Sequence, residues 1–144
     1  MRLWHHGLFP YLPDLQFKGQ LREVVAIMRD WRDKGSTNHL LINKVMEYER
    51  GDLVAYFALY EEEFQKRYGA RHENALCEFE GFLRDGPIVY PPFVGWHNYE
   101  YLRVCMANLY EKHQFGVGKS RITDEEWERL LFGYNRLTGE EYEI

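Results

Sequence analysis

Residues 13–35 read PDLQFKGQLREVVAIMRDWRDKG, and this run decides the fold. Leu21, Val24, Val25, Met28 and Trp31 recur at i, i+3, i+4 and i+7, the period of one helix face. Asp14, just after Pro13, suits the start of a helix, and Gly35 suits the position just past its end. The pattern predicts one amphipathic helix from Asp14 to about Lys34. Reading outward, a shorter helix is expected from Asn38 to Tyr48. A third, capped by Asp52 and stopped by Gly69, points Leu53, Tyr56, Phe57, Tyr60 and Phe64 inward. ENALCEFEGFLRDG, residues 73–86, reads as a fourth with Leu76, Phe79 and Leu83 on one face. DGPIVYPPFVGW, residues 85–96, breaks every period with its glycines and prolines and is expected to be irregular. Helices from Asn98 to His113 and after the TDEE capping box at 123–126 complete the chain, before a frayed GEEYEI end. The fold class expected is all-α: a compact single-domain bundle of about five or six helices over residues 1–144.

Composition narrows the function classes. A chain that is 45% hydrophobic and 28% charged reads as a soluble globular protein rather than a disordered one. No run approaches the roughly 18 apolar residues of a membrane span, so no membrane partner is expected. No charged segment leads into an apolar run at the start, so no secretory leader is expected either. Cys77 and Cys105 read as reduced thiols, which points to a cytoplasmic protein. The net charge of −5 is unevenly spread. Residues 1–45 carry seven Lys/Arg against four acids, a balance of +3 that leaves −8 for the remainder. A basic region on an acidic body suits a polyanion, and a face of mixed, solvated charge explains the same count.

The basic residues are also ordered. On a wheel of about 100° per residue, Lys18, Arg22 and Arg29 fall within about 40° of one another. Glu23 sits at the boundary of the apolar stripe, where partial burial raises a carboxyl pKa unless a cation offsets it. Gly19 costs the helix about 1 kcal/mol relative to Ala, which suggests close packing against its backbone.

The run MRLWH at 1–5, then Leu8, Pro10, Leu12, Pro13 and Gln16, then GQLRE at 19–23, resembles the opening of the pyrimidine dimer DNA glycosylase family, of the phage endonuclease V type. Its short bacterial relatives are the most similar. DLVAYFALYEEEFQKRYG at 52–69 and HNYEYLRVCMANLYEK at 97–112 resemble later blocks of the same group. The resemblance implies a DNA repair glycosylase with abasic-site lyase activity that acts on damaged double-stranded DNA through an imine. In that chemistry the N-terminal α-amine attacks the sugar C1′, the base departs and elimination breaks the strand. Arg2 matches the Arg directly after the family's nucleophile, and so large a second residue blocks removal of the initiator. Met1 is therefore the expected nucleophile. Glu23 matches the catalytic Glu by its RE context, and Arg22 the phosphate-gripping Arg. Arg2, Arg29 and Lys18 are expected on phosphates too, with Gln16 and Gln20 against the nucleotide. Trp4 and the aromatic residues of 90–96 are candidates for stacking on a base. No cofactor and no metal are expected, and a monomer is expected.

The sequence departs from the family in its acidic remainder, in Leu21 where relatives often carry His, and in the faint basic, aromatic echo FGYNR at 132–136. The adjacent His5 and His6 lack the spacing of a zinc signature and are read as groups that tune the amine. Two alternatives stand beside the glycosylase reading. One is a non-catalytic interaction module that meets a protein partner through its acidic C-terminal part. The other is a lyase acting on a different damaged or modified base.

Overall fold

The computed structural model describes residues 2–35 and 43–144. Among them are five α-helices and no strand, as the periodicity predicts. They are α1 (Asp14–Lys34), α2 (Arg50–Tyr68), α3 (Glu73–Leu83), α4 (Tyr99–Phe115) and α5 (Asp124–Thr138). Short 3-10 helices cover His6–Leu8, Asn43–Glu47 and Gly118–Ser120. The helix expected at Asn38–Tyr48 lies partly outside the described residues, and its described part is 3-10 rather than α. No described helix is long and apolar enough to cross a membrane.

The chain divides into two compact units, residues 1–3 with 19–94 and residues 4–18 with 95–144. The core of the first is aromatic. Phe57 of α2 and Phe79 of α3 stack at 4.1 Å, and Trp31 of α1 meets Phe82 edge-on at 5.3 Å. Phe57, Phe79 and Phe82 are almost fully buried, each stabilising the unit by about 1.5–3 kcal/mol. On α3 the buried residues are Phe79 and Phe82, while Leu76 and Leu83 are only half-buried.

Helix α2 starts earlier than expected, because Asp52 acts from inside the first turn. Its Oδ2 accepts the Glu49 N–H at 3.1 Å as part of a capping box. Its Oδ1 accepts the Phe93 N–H at 2.8 Å, which ties the irregular segment after α3 to the start of α2. The same segment approaches Gly51 so closely that a Cβ there would strike the Pro87 carbonyl. Val89 N–H also donates to the Gly51 carbonyl at 3.2 Å. Phe93 holds a left-handed backbone, φ 60°, with its ring fully buried. Such a conformation persists only where several contacts impose it, and here the Asp52 bond and the core do so.

The second unit packs α4 and α5 around Leu102, Met106, Leu109, Leu130 and Tyr134. The TDEE capping box is the one read from sequence, whereas Asn98, expected as the first helical residue, stands before α4 as its N-cap. Asn98 Oδ1 accepts the Tyr101 N–H at 2.8 Å, and Thr123 and Glu126 exchange the two bonds of a capping box. Residues 4–13 add Trp4, Leu8, Phe9 and Leu12 to this core. The Tyr11 ring fills the space of the missing Cβ of Gly133, and Arg129 donates to the Pro10 carbonyl at 2.6 Å.

Candidate active site

Helix α1 places Gln20 and Glu23 three residues apart, on one face one turn along. Gln20 is 1% exposed, so its carboxamide must find partners inside the protein. Its Nε2 donates to the Arg2 carbonyl and to Glu23 Oε2, both at 2.9 Å. Its Oε1 accepts from the Tyr56 hydroxyl of α2, also at 2.9 Å. The Arg2 N–H donates to the same Glu23 Oε2 at 3.3 Å. The Arg2 peptide is thus gripped on both sides, its N–H by Glu23 and its C=O by Gln20.

This network fixes the carboxylate without using it up. Oε2 of the half-buried Glu23 takes both donors, while Oε1 accepts no hydrogen bond among the described residues. The two acceptors facing Nε2 and the donor facing Oε1 also fix which way the Gln20 amide points. A carboxylate held in this way can face a developing positive charge, or take a proton, with no reorganisation of its own.

The profile of the pyrimidine dimer DNA glycosylase family matches residues 1–76. The chain belongs to that family. The matched span holds Arg2, Gln20, Glu23 and Tyr56 together. Membership makes the protein a DNA repair glycosylase that binds DNA. No curated protein and no solved structure matches the chain.

The other residues expected at the site of this glycosylase fall in different surroundings. Met1 lies outside the described residues. Arg22 is exposed and has no ion-pair partner among the described residues. Arg29 shares its helix face but makes a two-pronged bond to Glu78 of α3, at 2.9 and 2.8 Å. That bond and the charge behind it hold the Glu78 carboxyl below its ordinary pKa and the Arg29 guanidinium above its own. Lys18 is exposed and Gln16 half-buried, both in the second unit, and Gln16 Oε1 is buried with no partner among the described residues. Gly19 is exposed, with open space where a Cβ would stand, so among the described residues nothing packs against it in the way its helix cost suggested.

Three of the aromatic candidates for stacking are core residues: Trp4 and Trp96 are each 7% exposed and Phe93 is fully buried. The exposed aromatic ring of the irregular segment is Tyr90. The residue that sequence reasoning missed is Tyr56, taken for an apolar core position. The signal was present, since a fully buried Tyr in place of Phe needs a partner for its hydroxyl.

Three histidines of the second unit meet one another. The His5, His6 and His97 rings stack with centroids 4.9, 5.2 and 5.4 Å apart. His5 caps the 3-10 helix His6–Leu8 with Nδ1, which accepts the Gly7 N–H at 3.0 Å. His97, next to the N-cap of α4, accepts the His6 N–H on its own Nδ1 at 3.2 Å. Burial, and then the neighbouring His6, push His5 down to about 4. Burial lowers His6 as well, and burial with the other two rings lowers His97 to about 2. All three are neutral at pH 7.

Proposed function

We propose that this glycosylase excises a damaged pyrimidine, a pyrimidine dimer foremost, and then cleaves the strand as an abasic-site lyase through an imine on the Met1 α-amine. The observation that carries this reading is the grip on Arg2. The amide of residue 2 is three bonds from the α-amine of residue 1, and that amide donates to Glu23 Oε2. An α-amine has a pKa of about 7.7–8.0, so a useful fraction is neutral near pH 7, unlike a lysine at about 10.4.

The amine nitrogen bonds to C1′ as the glycosidic bond breaks, and the base leaves with the electron pair and takes up a proton. Glu23 stabilises the cationic sugar through Oε1, which accepts no hydrogen bond among the described residues. Loss of the amine proton and opening of the sugar ring give the imine. Glu23 then accepts a proton from C2′, the 3′-phosphate departs, and water releases the enzyme. Arg2, Arg22 and Lys18 hold phosphates and Gln16 contacts the nucleotide. Arg29 adds less, because a phosphate must compete with Glu78 for it. Gln20 serves by orienting Glu23 and the Arg2 peptide. Beyond residue 45 the acids outnumber the cations by eight and repel the phosphates, so binding has a shallow salt dependence. Residues 1–144 work as one domain and as a monomer.

The test compares protein with a native N-terminus and protein extended by two residues, on duplexes carrying a pyrimidine dimer or an abasic site. Strand cleavage by the first and none by the second is expected. Full activity of the extended form would remove Met1 from the mechanism, and cleavage of the abasic duplex alone would remove the dimer as substrate.

A further inference from the structure

We propose that His5, His6 and His97 form a binding site for a borderline first-row divalent cation, Zn²⁺ above all, which staples residues 5 and 6 to the start of α4. One nitrogen from each of the three rings lies within 4.8 Å of the others. Zinc bonds imidazole at about 2.0–2.1 Å, so two nitrogens on one tetrahedral ion stand on the order of 3.4 Å apart. The trio needs only a modest contraction to reach that spacing. Three imidazoles with a fourth position left to water form a donor set that suits Zn²⁺, Ni²⁺ or Cu²⁺ and not Mg²⁺ or Ca²⁺, which prefer oxygen.

The arrangement fits ligation better than ring packing alone. His5 and His97 are buried, at 6% and 8% exposure, and their backbone bonds account for an imidazole at each place, so what favours ligation is the third imidazole, His6, stacked against both. The two backbone bonds fix how an ion would bind. The Nδ1 lone pairs of His5 and His97 face the N–H groups of Gly7 and His6, so each neutral ring carries its proton on Nε2. An ion takes over the Nδ1 lone pairs and displaces those two N–H donors. His6 differs: it is half-buried, and neither of its ring nitrogens is hydrogen bonded among the described residues. It is the ligand through which an ion enters. The bond from residue 6 to residue 97 already closes a separation of 91 residues, and a metal there would lock that closure.

The test uses untagged, chelator-treated full chain titrated with ZnCl₂, with MgCl₂ as control. Uptake of one zinc per chain is expected, with a rise in melting temperature that Mg²⁺ does not produce. The amide resonances of His6 and Gly7 should shift as their acceptors are taken. His6→Gln should weaken zinc binding by at least about 10-fold, the cost of losing even a hydrogen-bond partner of a ligand. His6→Gln breaks no ring-nitrogen bond, so it carries the test even if His97→Gln does not fold. No zinc uptake above the Mg²⁺ control would overturn the site, as would His6→Gln binding zinc as tightly as the parent. Neither readout depends on glycosylase activity.

Discussion

The Glu23 corner of the first unit and the histidine trio of the second treat ionisable groups in opposite ways. Glu23 is left half-buried and given two donors on one oxygen, while the other accepts no hydrogen bond among the described residues. The three histidines are packed against one another and stripped of charge by burial. The difference teaches what to look for in each place. A carboxylate oriented by a buried amide is prepared for a cation that appears during a reaction, whereas neutral imidazoles offer lone pairs and resist protons. The first is sensitive to the loss of a charge, the second to the gain of one.

The largest effect should come from Glu23→Gln. The replacement keeps an acceptor for Gln20 and Arg2 but removes the charge, and excision should slow by roughly 10²–10⁴-fold in single-turnover assays. The melting temperature should barely move. A variant that cleaves at the parental rate would show that the corner is structural.

Acid should act on the trio instead. The folded-state pKa values of His5 and His97 are lowered from the ordinary 6.5 to about 4 and about 2. Below pH 6.5 the unfolded chain therefore binds protons that the folded chain refuses. Stability is fully present above 6.5 and is lost as pH falls toward 4, at about 1.4 kcal/mol per pH unit for each group. Urea melts of chelator-treated protein at pH 7, 6 and 5 should show that slope, and His97→Phe should flatten it. Equal stability across the three would break the contrast.

A smaller change tests what orients Glu23. Tyr56→Phe leaves Gln20 Oε1 buried without a donor, which should cost about 1–3 kcal/mol of stability. The excision rate should fall by about 10-fold, or about 1.4 kcal/mol, with KM little changed. The smallest effect expected is a gain. Gly19→Ala fills open space on an exposed helix face and should stabilise the fold by about 1 kcal/mol. An unchanged KM for DNA would show that the backbone there stays clear of the duplex, and a raised KM would show close approach.

The helices were legible because their signals are local. Apolar residues at helical spacing, Thr123 as a cap, and Gly69 with its φ of 66° as a stop all act within a few residues of where they stand. Asp52 was half-legible: its capping role lies in the neighbouring sequence, but its bond to Phe93 spans 41 residues. The candidate site divides in the same way. Glu23 stood out through its motif and its place at the edge of a stripe. The Tyr56 hydroxyl was hidden because its partner is 36 residues away, and Arg29 read as available because Glu78 is 49 residues away. His97 was one of four histidines scattered beyond the His5-His6 pair until the fold set it against them. Gly19 misled for a different reason, since a helix tolerates a weak residue without any neighbour requiring it.

Reductive trapping tests the central claim most directly. Untagged protein would be mixed with a duplex carrying an abasic site or a pyrimidine dimer, treated with borohydride, and digested for mass mapping. A covalent adduct on the Met1 amine is expected with both duplexes and is expected to be absent from Glu23→Gln. An adduct on a lysine, or none with either duplex, would contradict that claim.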